Sequence, residues 1–335
     1  MLDLLQKLCE QNGVSGREDA VRDLIISEIT GHCEYSVDPL GNIIAFKKGK
    51  NRPSKRVMVD AHMDEVGLII TAVTEEGFLK FRTVGGINTE ILLFRRVTVN
   101  GLSGVIGGKP IHLLDDADRK KLPKAESLYI DIGAASKEEA LALVSPGDTA
   151  VLDGAFTAIG DKIRSKALDD RIGCAILIRL LQQEAAYDFH AVFSVQEEIG
   201  LRGAKAAAFT VAPDAAVVLE ATTAADLAGV EPENRVCRLG AGPAVSFMDK
   251  ATVYDRAFYE AALAGGIPCQ PKMAVAGGNN AGAVHLTRGG IRTLAISVPC
   301  RYIHSPSCVC SINDIENAQK LARFMLERIA SGALS

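Results

Sequence analysis

Residues 169–220 read DDRIGCAILIRLLQQEAAYDFHAVFSVQEEIGLRGAKAAAFTVAPDAAVVLE. The stretch opens with a long apolar helix pattern. A buried strand follows, His190-Ala191-Val192-Phe193-Ser194-Val195, then a short Ala-rich helix from Arg202 and a second strand from Ala215 to Glu220. Helix and strand patterns in alternation imply a parallel sheet with helices on both faces. Downstream the rhythm continues through the helix pattern VYDRAFYEAALAGG, the strand pattern TLAISV and a final helix from about Ile312. Upstream, Ser15-Gly16-Arg17-Glu18 reads as a capping box before Ala20, Val21, Leu24, Ile25 and Ile29 at helical spacing. The turn chemistry of DPLGN precedes the strand Ile43–Phe46, and RVMVDAHMDE gives a further short apolar strand.

Between about 66 and 155 the texture changes. Short β-type runs (VGLIITAV, GFLKF, RVTVNG) alternate with Gly-containing turns, and one modest helix, SKEEALAL, interrupts them. The expected architecture is therefore α/β: a mixed, mostly parallel sheet flanked by helices, formed by 1–65 together with 156–335. A small β-barrel is inserted at 66–155.

The chain has 335 residues, 48% of them apolar and 23% charged, with a net charge of −4. This is a globular balance with room for a large core. No dense Lys/Arg stripe with interleaved aromatics occurs, so nucleic acid is not an expected partner. No apolar run approaches the roughly 18 residues of a membrane span, and no membrane partner is expected. The opening segment reads as an amphipathic helix carrying acids, not a secretion signal. The cysteines at 9, 33, 174, 237, 269, 300, 308 and 310 read as free thiols of a cytoplasmic protein. Cys308-Val309-Cys310 resembles half a zinc site, but no second pair at suitable spacing completes it.

In open α/β sheets ligands bind at the carboxyl ends of the strands. There VMVDAHMD ends in His62 and Asp64, and SKALDDR sets Asp169 and Asp170 at a helix start. VFSVQEE ends in Glu197 and Glu198, AVVLEATT carries Glu220, and LAISVPCRYIH leads to His304. Each alone has a plain structural reading: a histidine after a strand is commonly core or surface, and acids before a helix complement its dipole. Their coincidence points elsewhere, because carboxylates gathered on one sheet edge repel one another without a cation. Nitrogen and oxygen donors together suit zinc, cobalt or manganese. At least five candidates exceed the three or so a single catalytic metal needs, so a pair sharing a carboxylate is expected. Of the adjacent Glu197 and Glu198, one can be a ligand and the other a general base, since neighbouring strand residues point opposite ways.

Together DAHMDEVG, SKALDDRIG, QEEIGLRGA, LEATTAAD, GGNNAGAVHL and RYIHSP resemble, in order and across nearly the whole chain, the tetrahedral (TET) metallo-aminopeptidases. That is peptidase family forty-two of the metallopeptidases, which includes glutamyl aminopeptidases and proteins once labelled cellulase M. The resemblance implies a zinc-exopeptidase-like sheet, with a PDZ-like inserted barrel that makes dimer contacts. It implies dimers that build a tetrahedral dodecamer, and peptide substrates with a free N-terminus. Two divalent ions are implied per subunit, zinc or cobalt, with manganese as the alternative. His62 and Glu220 would hold one ion, Glu198 and His304 the other, and Asp169 would bridge them. Glu197 would be the general base, Asp64 would orient His62, and the Asp169–Asp170 peptide would be cis.

The chain departs from that pattern in two places. Relatives often carry Asp where this chain has Glu220, which leaves Asp226 as a competing ligand. Many read Thr-Asp where this chain has Asn279-Asn280, which removes a charge near the site. His112, in the insert, falls outside the ligand set and is expected to be structural or at an interface. Three other readings compete. A metal-dependent deacylase or amidohydrolase would use the same residues on an N-acyl substrate. A glycoside hydrolase would need its carboxylates about 5–10 Å apart across a sugar cleft, which adjacent Glu197 and Glu198 fit poorly. A non-catalytic scaffold would not need a complete ligand set with a base.

Overall fold

The computed structural model describes residues 1–116, 121–275 and 277–334. An eleven-stranded sheet carries the chemistry. At its centre Phe189–Ser194, Val57–His62, Ala215–Thr223 and Arg292–Arg301 lie side by side and parallel. Parallel pairing between neighbours on the main path is confined to these four; strands on both flanks run antiparallel. For the outermost pair on each flank the cause is connection length. Glu34–Val37 and Ile43–Lys47 are joined by the DPLGN turn, and Thr157–Ile159 and Lys162–Ser165 by two residues. Links that short can only reverse the chain.

The central strands bury both faces, alternating with period two. Val57, Val59 and Ala61 join the main core with the helices Leu168–Gln182 and Ile312–Ala330. Met58, between them, faces Ala204, Ala207, Ala208 and Val211 of the helix Arg202–Val211 on the other side. The helix Leu168–Gln182 is buried at every position except Arg179 and Gln182, which explains the run without a charge from Ile172 to Ile178.

The chain leaves the sheet after His62 and closes a barrel from Gly67–Val73, Leu79–Val84, Tyr129–Asp131, Leu102–Gly107, Arg96–Val99 and Thr149–Leu152. Its pairs are antiparallel. Alternate residues such as Leu68, Ile70, Phe81, Val97, Val99 and Ile130 fill it. Lys137–Leu141 is its short helix, capped by Ser136, whose hydroxyl accepts from the N–H of Glu139.

The capping box expected at Ser15–Glu18 does not form. The helix begins at Asp19 with no side-chain cap. Ser15 instead donates to Asp64 Oδ2 at 2.6 Å, and Glu18 accepts from the N–H groups of Gly16 and Gln196. Buried tertiary partners have outcompeted the local motif. Val21, Ile25 and Ile29 nonetheless pack inward as their spacing implies, while Ala20 is exposed.

Candidate active site

The carboxyl ends of the parallel strands meet at one edge of the sheet. His62 is the last residue of its strand, level with Ser194, and Glu197 and Glu198 follow in the turn after Ser194. Glu220 sits within Ala215–Thr223, level with Ser297. Asp169 lies at the mouth of the helix Leu168–Gln182, where Asp169 and Asp170 have non-helical dihedrals and the peptide between them is cis. His304, at φ 60°, stands in the loop beyond Arg292–Arg301.

These elements bring the expected residues together. His62 Nε2 lies 3.2 Å from Asp169 Oδ1 and 3.7 Å from Glu220 Oε2. His304 Nε2 lies 3.4 Å from Asp169 Oδ2 and 3.3 Å from Glu198 Oε2. Each trio, His62–Asp169–Glu220 and Asp169–Glu198–His304, has one donor atom per residue within 4.8 Å of the others. Asp169 belongs to both. Glu197 joins a further trio with His62 and Glu198. All the carboxylates are largely buried, so each shifts strongly. Burial, aided by the charges of Asp169 and Asp64 and opposed by His62, pushes Glu197 up to about 7. Burial and Asp169, against His304, push Glu198 up to about 8. Burial also holds Glu220 well above the usual range, against the pull of His62. For Asp169, burial is outweighed by the two imidazoles, which keep its carboxyl well below the ordinary value.

Around this set the chain builds supports. Asp64 is fully buried; its Oδ1 lies 3.3 Å from His62 Nδ1. It accepts the N–H groups of Glu197 and Glu198 at 2.9 and 3.1 Å. Burial works against its ionisation, but His62, Ser15 and the Glu197 N–H together hold its pKa low. Asp170 turns away from the cluster and accepts from the N–H groups of Gly173 and His62. A side chain at Gly173 would strike that carboxylate at 2.3 Å. Glu65 pairs with Lys166 and Arg171, and Arg171 also donates to Leu8 O and Met63 O. The loop carrying Asp169 is thereby clamped to the first helix. Across the site, His304 Nδ1 lies 2.8 Å from the carbonyl of Gly86, just beyond a barrel strand.

Asp226, the competing candidate for Glu220, is committed elsewhere. Its two oxygens lie 2.7 and 2.8 Å from the Arg301 guanidinium, and it also accepts from Leu239 N–H. Asn280 donates to Asp60 at 2.7 Å and to Ser194, while Asn279 donates to Tyr254 Oη. His112 is exposed on the turn Ile111–Leu113. All eight cysteines are free, and none joins a metal-competent cluster among the described residues. Sequence reasoning did not reach Ser15, Glu18, Glu65 or the Gly86 carbonyl. Only the position of Glu65, next to Asp64, offered a signal.

A cavity of about 350 Å³ opens on the cluster; Gly86, Thr222, Val236, Lys272, Asn279 and Ile303 line it beside the carboxylates. A larger cavity, about 760 Å³, lies at the opposite, amino ends of the strands beside Arg56, His190 and Asp214. It holds none of the gathered ligands. The donor set itself fits divalent metal. It has nitrogen and oxygen donors, a carboxylate, Asp169, common to the two trios that leave out Glu197, and a Glu220 Oε1 that is buried with no hydrogen-bond partner.

Carboxylates and imidazoles gathered at the ends of parallel strands form a site able to hold metal. The sequence profile of the M42 glutamyl aminopeptidases matches residues 41–321, and the chain belongs to that family of peptide hydrolases. It is similar to a protein of Acetivibrio thermocellus bearing an aminopeptidase name, at 42% identity over 96% of this chain and 97% of the other. It is also similar to the lysyl aminopeptidase of Pyrococcus furiosus, at 33% over 98% and 97%. Among solved structures, an aminopeptidase of Desulfurococcus kamchatkensis superposes with a TM-score of 0.94 at 34% identity, covering 100% of this chain and 96% of that one. The TET1 peptidase of Pyrococcus horikoshii, described as assembling into a tetrahedron or a large octahedral shell, superposes at 0.86 with 36% identity, covering 98% of each chain. Among the described residues no helix is long and apolar enough to cross a membrane.

Proposed function

We propose that the chain is a two-metal aminopeptidase that removes the first residue of peptides. One observation carries the reading: Asp169 belongs to both His62–Asp169–Glu220 and Asp169–Glu198–His304. In this assignment His62 and Glu220 hold one ion, Glu198 and His304 the other, and Asp169 both. The ions, zinc or cobalt with manganese as the alternative, would supply Lewis acidity toward the scissile carbonyl and a water acidic enough to attack near neutral pH. Glu197 takes the proton during attack and returns it to the leaving amine, a role that suits the one clustered glutamate not used as a ligand in this assignment. Asp64 keeps the His62 ring oriented, and the Gly86 carbonyl does the same for His304. The concentration of carboxylates also suits a substrate with a free, cationic α-amine.

We assign residues 1–65 and 156–335 to the catalytic domain and 66–155 to an inserted barrel that makes dimer contacts. Dimers assembling into a tetrahedral dodecamer are supported by the assembly described for the P. horikoshii relative. Phe94 and Leu122, 74% and 57% exposed on the barrel side, are apolar surface such contacts would cover. The deciding experiment is turnover of aminoacyl-p-nitroanilides beside their N-acetylated analogues, with and without zinc, cobalt or manganese. Free-amine substrates should be cleaved and the acetylated ones left intact. Cleavage of the acetylated set alone would make the protein a deacylase.

A further inference from the structure

The cavity above the cluster is electrically lopsided. Asp169, Glu197, Glu198 and Glu220 crowd one part of its wall, and Lys272 is the one lysine or arginine among its lining residues. Lys272 directly follows the short strand Gln270–Pro271. Its N–H donates to Val245 O at 2.9 Å, and the next residue, Met273, donates to Val236 O at 2.9 Å, so the backbone on both sides is tied down. The residue is only 6% exposed. Among the described residues its ammonium makes no hydrogen bond or ion pair. Nor is Nζ one of the sealed, unpartnered polar atoms, so the little of this side chain that meets open space includes its charge. A nearly buried ammonium without an anion is costly.

The anionic cluster does not serve as that anion. The ion pairs of Asp169, Glu198 and Glu220 run to His62 and His304, and among the described residues none of the cluster's carboxylates pairs with Lys272. Its ammonium therefore stands apart from the ligands while sharing their cavity. A peptide whose α-amine faces the carboxylates places its first side chain in the remaining space, walled by Thr222, Val236, Asn279, Ser297 and Ile303 with Lys272.

We propose that Lys272 selects peptides whose first residue is acidic, glutamate or aspartate, by pairing with that side-chain carboxylate. A first residue of lysine or arginine would set a second cation against Lys272 and is disfavoured. Membership of the family does not settle this, since the lysyl aminopeptidase of P. furiosus lies within 33% identity. The inference rests on the aminopeptidase reading and deepens it.

The test is kcat/KM of the assembled, metal-loaded protein on Glu-, Asp-, Ala-, Leu- and Lys-p-nitroanilide. The acidic pair should be preferred. K272M should cut the Glu/Ala ratio by about 30-fold or more, as expected for loss of one partner of a desolvated charge pair. K272R should keep the acidic preference, and K272E should turn it toward Lys. A wild-type protein that prefers Ala, Leu or Lys overturns the proposal, as does a K272M variant that slows Glu and Ala substrates equally. Turnover of Ala or Leu without acidic preference removes this inference alone. Absence of turnover on every free-amine substrate removes the aminopeptidase reading, and this inference with it.

Discussion

Asp64 joins two parts of the site that are remote in sequence: its Oδ1 lies 3.3 Å from His62 Nδ1, and its Oδ2 accepts the N–H of Glu198 at 3.1 Å. Asp64 thus bears on an imidazole, through this carboxylate and its main-chain carbonyl 3.1 Å from the same Nδ1, and on the position of the paired glutamates. Asp64→Asn keeps the size and removes the charge. Metal affinity at the His62 position should fall by about 10–100-fold, as for other partners of ligating histidines. Competition against a chelator of known affinity measures it; unchanged affinity would remove Asp64 from this role.

Glu197 and Glu198 should fail differently. Glu197→Gln removes the proton acceptor and should leave metal bound while turnover falls by roughly 10²–10⁴. Glu198→Gln exchanges an anionic donor for a neutral amide, so its ion should be weakly held or lost. Metal content and turnover, measured on both purified variants, separate the roles. Metal loss in the first with full occupancy in the second would mean that the two are reversed.

Elemental analysis of active protein should find two divalent ions per chain. Chelation should abolish turnover and lower the melting temperature, with both restored on reloading, because ligands bound only by the folded state stabilise it. A ceiling of one equivalent in fully active protein would overturn the paired-ion assignment.

The Asp226–Arg301 pair anchors the strand end just before His304. Burial works against its ionisation, but Arg301 and the Leu239 N–H hold the Asp226 carboxyl below its ordinary value. A depressed carboxyl stabilises the fold above the unfolded-state value of about 4 and loses that contribution as pH falls through the lower folded value. Asp226→Asn should therefore cost about 1 kcal/mol at neutral pH, since the pair is partly exposed. Its deficit against the parent should shrink below about pH 4. Denaturant midpoints across pH 3–7 are the readout, and a constant deficit would refute the assignment.

Light scattering should report dimers and a dodecamer. Replacing Phe94, 74% exposed, with serine should weaken the assembly if the barrel carries the dimer contact. A monomer with full peptidase activity would contradict this.

What the sequence discloses here follows strand ends. His62, Glu198, Glu220 and His304 close or follow apolar runs, and Asp169 opens a helix too apolar to be anything but buried. Their convergence is then a property of any parallel sheet. The supports lack such a signal. Ser15 carries the pattern of a helix cap, and only the folded chain shows its hydroxyl spent on Asp64. Lys272 sits beside a strand of two residues, too short to leave a period. The antiparallel flanks follow from turn lengths that a reading by βα rhythm passes over. In the sequence Asp226 competes with Glu220 as an aspartate just beyond the strand end, and nothing there shows its partner Arg301, 75 positions away.

The 2.8 Å contact between His304 Nδ1 and the Gly86 carbonyl bears on how this architecture can evolve. An inserted barrel that touched only neighbouring subunits could be traded, trimmed or lost with no penalty to chemistry. Here its peptide backbone steadies an imidazole of the proposed metal site, and the contact is made by a main-chain atom that substitution cannot delete. The two halves of the chain are bound to drift together: insertions are tolerable in the far turns of the barrel, while the stretch from Gly85 to Gly86 must keep its course.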